Sequence, residues 1–414
     1  MIPAIMPLRE LRAADKTFAG GKGAMLGELM HQGLDVPNGY VVTSSVFKEW
    51  LDAGGVDDKK LNSTLTKLGK NVADLEIASQ LLKERVRQCS TPSTLDSLTD
   101  YLDSDKLYAV RSSGIGEDGS ESSFAGQHDS FLNIHRDGVT HAIRQVWEST
   151  FATRVLYYRV AKNITSPLRQ AVVIQEMVDA ERAGTAFSAD PRSGHRDRGL
   201  IEWVKGLGDD LVSGKQTPKT VPFKHSESIE DEVLEVVRSI VLQLQDIFGW
   251  PVDMEWAWKN GLHVLQARPI TSLPTEYSDL EMELLDTAHA EYGPPLVVGQ
   301  GLAPGKALVA GYVTRQLMKY WSLNKQYDLS KRVFVAPFTT PDDLPIMEKV
   351  AAVVVSRGGA TSHAAIVCRE MGKPCVRVPK ISLIKNNRLQ FTKKPMLIDG
   401  RGVIFKSKLE DAYE

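Results

Sequence analysis

The chain has 414 residues, 42% of them hydrophobic, which is enough for two or three domains with cores of their own. Its formal net charge of −2 gives no reason to expect nucleic acid or an anionic membrane as a partner. Three cysteines, Cys89, Cys368 and Cys375, show no C-x-x-C spacing. They read as reduced thiols of a cytoplasmic protein, not as a disulfide frame or a zinc site. The opening stretch MIPAIMPLRELRAADKTFAG mixes charges among short apolar runs and lacks a signal-peptide core. No apolar run approaches the length of a membrane span.

In chain order, residues up to about 105 read as mainly helical, with LNSTLTKLGK and LLKERVRQ spacing their apolar positions at helical intervals. Within them, AGGKGAMLGEL sets Lys22 in a glycine-rich turn ahead of a helical pattern. It is not a Walker A loop, because glycine follows the lysine. From Leu107 the texture turns to short β-rich runs: LYAVRSS, SFLNI, AVVIQEMV, GTAFSA and GLIEWV. A helix is expected near Ile229–Phe248, then a hairpin, VDMEWAWKNGLHVLQARPI. Residues 271–295 read as a proline-flanked linker. From 296 onward, β and α segments alternate (RVFVAP, a helix around Leu344–Lys349, AAVVVS, a helix after His363, CVRV), which predicts a small layered α/β domain behind an α+β body.

Two stretches carry chemistry. In AVRSSGIGEDGSESSFAGQ, Arg111 follows an apolar strand and can reach phosphate oxygens, while the Gly/Ser run can fold over them; a plain surface loop fits the composition too. In the hairpin, a two-residue turn at Asn260-Gly261 sets Glu255 opposite Gln266 and Asp253 opposite Arg268. Residues two apart share a face, so these four form one polar cluster. A carboxylate facing an amide oxygen offers two hard ligands for Mg²⁺, and the guanidinium suits phosphates. A solvated ion-pair face has the same pattern.

The stretch SRGGATSHAAIVCREMGKPCV puts a single histidine at a helix mouth. Gly358 and Gly359 permit a tight turn after a buried strand, Thr361 or Ser362 can cap the helix, and Gly372 with Pro374 can end it. Free N–H groups and the helix dipole at that end disfavour imidazolium and would stabilise an anion bonded to the ring. A histidine there can take up a phosphoryl group covalently, or merely pack and cap.

The stretch GGATSHAAIVCREMGKPCV resembles the phosphohistidine swivelling domain of the phosphoenolpyruvate synthase and pyruvate phosphate dikinase superfamily. The first 270 residues resemble the ATP-grasp-type nucleotide-binding domain of the same superfamily, through the GGKG turn, AVRSS…SFAGQ, QEMV, GLGDDLVSG and DMEWA…LQARP, all in order. The resemblance implies an ATP-grasp nucleotide-binding domain over residues 1–270, a linker over 271–295 and a swivelling phosphohistidine domain over 296–414. It implies His363 as the phosphocarrier, Lys22, Arg111 and Arg268 on phosphates, and Glu255 and Gln266 on Mg²⁺. Gln175, Met177 and Val178 would line the adenine pocket. Arg154 either reaches the nucleotide or makes an internal ion pair. In some members the residue at the place of Thr361 is a regulatory phosphorylation site; helix capping explains this threonine equally well.

Three departures stand out: GIG after RSS, Lys205 before the GLG where an aromatic residue is usual, and Asp209 where glutamate is common. Synthases and dikinases of the superfamily also continue into a pyruvate-binding barrel, whereas this sequence runs to Glu414. Related rifampin phosphotransferases carry an acceptor domain between the two modules. The expectation is an ATP-dependent dikinase-type phosphotransferase, using ATP and Mg²⁺, that forms phosphohistidine. It then hands the phosphoryl group to a small-molecule acceptor, with AMP and phosphate as co-products. Alternatives are a subunit acting with a separate barrel protein, and a non-enzymatic nucleotide sensor or phosphorelay protein.

Overall fold

In the computed structural model, the described residues are 2–115, 118–119, 122–123, 129–208, 216–270, 273, 295–297, 308–309, 312–313, 329–331, 333–360, 362–377, 396–399 and 402–405. The chain divides into two compact units: residues 1–180 with 254–268, and residues 181–253 with 269–414. These units cut across the 1–270 and 296–414 division expected from the sequence, and the expected linker lies almost wholly outside the described residues.

The first unit is built on a five-stranded sheet. Its strands are β1 (Ile5–Pro7), β2 (Gly39–Val42), β3 (Leu107–Gly114), β6 (Ser130–His135) and β7 (Gln170–Glu176), with β4 (Asp118–Gly119) and β5 (Ser122–Ser123) forming a separate short pair. The order is β1-β2-β7-β3-β6, every neighbour antiparallel. Apolar β-branched residues fill β2 and β7, as expected of strands covered on both faces. The sequence reading took the first 105 residues as mainly helical and did not mark β1 or β2, which have only three and four residues.

Helix α1 (Lys16–His31) lies against β7 and β3. The helices α2 (Ser44–Ala53), α3 (Asp58–Leu68), α4 (Val72–Arg87), α5 (Val139–Ser149) and α6 (Thr153–Ala161) complete the unit. Phe47, Trp50 and Trp147 pack together, with the two indole centroids 5.2 Å apart, and join α2 to α5. The hairpin strands β11 (Val252–Trp258) and β12 (Leu262–Pro269) are neighbours.

In the second unit, β8 (Arg182–Phe187), β9 (Arg198–Lys205) and β10 (Lys219–Lys224) form an antiparallel run with β9 in the middle. The helix Glu232–Phe248 is capped by Asp231, whose carboxylate accepts from the N–H groups of Val233 and Leu234, and ends at left-handed Gly249.

Further along, β15 (Tyr312–Val313), β16 (Val333–Ala336), β17 (Ala352–Val355) and β18 (Cys375–Arg377) pair in parallel, and β13 (Pro295–Val297) adds to β18 antiparallel. The helices Leu344–Met347 and His363–Glu370 connect β16 to β17 and β17 to β18. This is the expected alternation, with β16 and β17 buried along their whole length. A smaller sheet holds β14 (Leu308–Val309), β19 (Met396–Asp399) and β20 (Gly402–Phe405). Among the described residues no helix is long and apolar enough to cross a membrane.

Candidate functional site

The first cluster starts from the glycine-rich turn. Gly20 takes φ 73° and breaks α1 near its start. A Cβ there would lie 2.1 Å from the Ser113 carbonyl oxygen, so only glycine fits. Ser113 sits two residues after Arg111 on β3. Its hydroxyl donates to the Ala19 carbonyl (2.7 Å) and accepts the Gly23 N–H (3.0 Å). One side chain thus clamps both sides of the turn carrying Lys22 onto the strand carrying Arg111. Sequence reasoning quoted Ser113 within AVRSS and gave it no role.

Pairing places Arg111 opposite Val173 and Ala109 opposite Gln175. Opposed residues share a face, and so do residues two apart, so Arg111, Ser113 and Gln175 stand on the same side of the sheet. Gln175 is buried. Met177 and Val178, just past the end of β7, are half-buried, and the Met177 N–H donates to the Leu107 carbonyl. Arg154, the residue with two expected fates, pairs with Asp129 at 2.5 Å.

The hairpin brings its residues together as expected, through a different turn. Asn260 is left-handed (φ 56°) while Gly261 is not among the positive-φ residues, and the Lys259 N–H donates to the Gly261 carbonyl. Three residues therefore separate the strands, where the sequence suggested two. Glu255 and Gln266 nonetheless meet one atom: Arg111 Nη2 donates to Glu255 Oε2 (2.6 Å) and to Gln266 Oε1 (2.9 Å). Arg111 Nη1 donates to the Leu265 carbonyl at 3.3 Å. Burial works against ionisation of Glu255. The charges of Arg111, Arg268 and Lys22 outweigh it and hold the carboxyl below its usual range. So Lys22, Arg111, Glu255, Gln266 and Arg268 converge on one place in the first unit. Asp253, expected in the same cluster, is buried in β11.

That place suits a hard cation. Two oxygens from adjacent strands point at one nitrogen, so they already converge on a single positive centre. Among the described residues no group of three or more His, Cys, Asp or Glu side chains could hold a metal by itself.

The second cluster surrounds His363. Strand β17 ends at Val355, and the turn that follows reaches φ 108° at Gly358. Ser362 is the N-cap residue, but its hydroxyl donates back to the Gly359 carbonyl (2.7 Å) and does not cap the helix N–H groups as expected. Thr361 lies outside the described residues. His363 opens the helix, 7% exposed. Its Nδ1 lies 2.8 Å from the Thr339 hydroxyl. Thr339 is itself buried after β16, beside a capping box in which Asp343 Oδ2 accepts from the Thr340 N–H and hydroxyl. Sequence reasoning missed Thr339. Its only signal is the TTPDD run after a buried strand, a helix-start signature.

A buried carboxylate grips the same turn. Glu202 of β9, 3% exposed, accepts the Ala360 N–H at 2.9 Å. A Cβ on Gly359 would lie 2.5 Å from both Glu202 carboxylate oxygens. Arg377 Nη1 donates to the Gly358 carbonyl at 2.9 Å; burial lowers its pKa, and the Glu202 charge partly offsets that. Ala360 also packs on Phe187 and Leu200, with Ile270 beside them. The signal for Glu202 was a lone acid inside the apolar run GLIEWV.

Cys368 and Cys375 are fully buried; the hydrogen bond to Cys368, together with burial, pushes the Cys375 thiol up. They read as packing thiols.

Residues 16–227 and 220–289 match the family "Pyruvate phosphate dikinase, AMP/ATP-binding domain", and residues 329–401 match "PEP-utilising enzyme, mobile domain". The chain belongs to the phosphoenolpyruvate synthase and pyruvate phosphate dikinase superfamily. Among curated relatives, a probable phosphoenolpyruvate synthase of Methanothermobacter thermautotrophicus is 31% identical over 99% of this chain and 64% of its own length. A probable phosphoenolpyruvate synthase of Archaeoglobus fulgidus is 31% identical over 99% and 59%, and the phosphoenolpyruvate synthase of Pyrococcus furiosus 28% identical over 96% and 58%. The chain thus spans about three fifths of the length of these relatives. Among solved structures, the D-alanine-D-alanine ligase of Helicobacter pylori aligns over 43% of this chain and 46% of its own, with a TM-score of 0.25 and 13% identity, an overlap too slight to bear on the fold.

Proposed function

We propose that the chain binds ATP at the Arg111–Glu255 cluster, takes a phosphoryl group onto His363 and passes it to an acceptor. The observation that carries this is the gathering of Lys22, Arg111 and Arg268 around one ionised carboxylate. Lys22, Arg111 and Arg268 gathered there suit a polyanionic ligand, and arginine forks bind phosphate bidentately. Residues 1–270 are read as the ATP-grasp-type part, 296–414 as the swivelling part and 271–295 as the connection between them. Gln175, Met177 and Val178 are the candidate adenine contacts. Glu255 and Gln266 would hold a divalent cation, which when bound neutralises phosphate charge.

The chain's own residues account for the rest. In the tautomer that donates Nδ1–H to Thr339, the lone pair of His363 lies on Nε2. Nε2 forms the N–P bond at the β-phosphorus as the P–O bond to the α-phosphate breaks and AMP leaves, and water then takes the γ-phosphoryl away as phosphate. The free N–H groups at the helix start stabilise the phosphoryl charge. Glu202 and Arg377 hold the turn and so fix the position of His363. The net reaction is ATP, acceptor and water giving AMP, phosphate and phospho-acceptor. The names of the relatives favour pyruvate as acceptor over an unrelated small molecule.

The test is incubation with MgATP labelled in its phosphates. An acid-labile, alkali-stable label is expected on His363, absent from His363→Ala. Pyruvate added to the labelled protein should remove the label and yield phosphoenolpyruvate. Removal only when a second protein is added would favour the separate-barrel reading, and no label at all would leave neither standing.

A further inference from the structure

We infer that Arg111 closes the cation position between Glu255 and Gln266 against a free divalent ion and yields it only to one arriving with nucleotide phosphates. This rests on the nucleotide reading above and adds a selectivity to it. Arg111 Nη2 stands where both oxygens converge, 2.6 Å from Glu255 Oε2 and 2.9 Å from Gln266 Oε1. A divalent ion bound to those oxygens and this guanidinium nitrogen cannot share the same space. Charge adds to the exclusion. Arg268 and Lys22 also act on Glu255, so a bare dication would enter a field already positive.

Phosphates change the balance. They offer Arg111 a bidentate partner, and they offset the charge of Lys22 and Arg268. The exchange requires only a side-chain motion. β3 is held by pairing to β6 and β7, while the Arg111 and Glu255 side chains keep 16% and 22% of their surface exposed. Arg111 then trades its three hydrogen bonds on the hairpin, the one to the Leu265 carbonyl being the longest, for charge-assisted ones on the ligand.

The experiment titrates the full chain with Mn²⁺, following free Mn²⁺ by electron paramagnetic resonance, with and without the β,γ-imido analogue of ATP. Wild type should bind Mn²⁺ alone weakly and bind it much more tightly with the analogue. Arg111→Met keeps an unbranched apolar stem and removes the guanidinium; it should bind Mn²⁺ alone at least tenfold more tightly than wild type. Arg111→Lys, a point charge without the fork, should fall between them. Adding Glu255→Gln to Arg111→Met should abolish the gain, which locates it. Circular dichroism and thermal unfolding confirm that each variant is folded, and Arg111→Lys carries the test if Arg111→Met is not. Mn²⁺ affinity in folded Arg111 variants equal to or below wild type would overturn the inference. So would tight binding of Mn²⁺ alone by wild type that Glu255→Gln removes. If the analogue tightens Mn²⁺ binding in no protein while the Arg111→Met gain persists, closure by Arg111 stands and the nucleotide reading fails.

Discussion

At the hairpin, four charged side chains and an amide meet, and the shortest contact joins Arg111 to Glu255 at 2.6 Å. At the His363 turn, the ring is held by a hydroxyl, and backbone groups of the turn are held by one buried carboxylate and two guanidiniums, those of Arg377 and Arg369. The difference teaches what each region is prepared for. On the proposed reading, the first gathers positive side chains where a phosphate ligand would meet them. The second spends its charged groups on the main chain and sets the imidazole against the Thr339 hydroxyl, which on the proposed reading suits a ring that acts through a lone pair.

The largest expected effect breaks the comparison at its second half. His363→Ala should reduce phosphohistidine labelling to background while nucleotide binding, followed by fluorescence of a nucleotide analogue, stays intact. Equal loss of both would mean that the two regions do not have separate tasks.

Glu202 tests whether the turn depends on a single carboxylate. Glu202→Ala leaves the Ala360 N–H buried without its acceptor and removes a charge near Arg377, a loss of about 1–3 kcal/mol. Glu202→Gln keeps an acceptor oxygen and should recover most of it. Urea unfolding of the two variants decides, and equal destabilisation would show that charge, not the hydrogen bond, matters. Gly359→Ala presses a methyl against the same carboxylate from the other side. It should cost about 1–3 kcal/mol. Glu202→Ala in the same chain should relieve part of that cost.

A smaller effect is expected at Thr339. Thr339→Val removes one hydrogen bond worth about 1 kcal/mol and should slow labelling about fivefold. The ¹⁵N spectrum of the His363 ring should shift toward a mixture of tautomers. An unchanged tautomer would remove Thr339 from the mechanism.

The last test separates the regions by pH. The Glu255 carboxyl lies below its unfolded value of about 4.3, so the stability it contributes is complete above that value. That contribution is lost as pH falls through the folded value. Urea midpoints of wild type should fall in this acid window more than those of Glu255→Gln; parallel curves would contradict it.

The hairpin was legible in the sequence from its Asn-Gly turn signal between two apolar runs; that Glu255 and Gln266 both meet Arg111 Nη2 did not follow from the expected register, since the turn has one more residue than expected. The helix mouth at His363 was legible because glycine, hydroxyl and proline signals are local. Thr339 and Glu202 were not, since they reach His363's surroundings from 24 residues before His363 and 158 residues before Ala360. Nothing local marks a threonine that will meet an imidazole. A lone glutamate in an apolar strand marks only that something must satisfy it. The missed strands β1 and β2 have three and four residues, too few for a period to show.

The Ser113 hydroxyl binds Gly23 across 90 residues of chain, and Arg111 binds Glu255 across 144. A site closed by such distant pairs forms late, because the loops between the partners must close before any contact rewards them. During synthesis Lys22 leaves the ribosome long before Glu255 exists. The glycine-rich turn therefore waits for β3, and the cation cluster waits for the hairpin. A chain interrupted before residue 255 would carry the whole five-stranded sheet with Lys22 and Arg111 but not Glu255, Gln266 or Arg268, which makes the Arg111–Glu255 contact a marker of completed folding in the first unit.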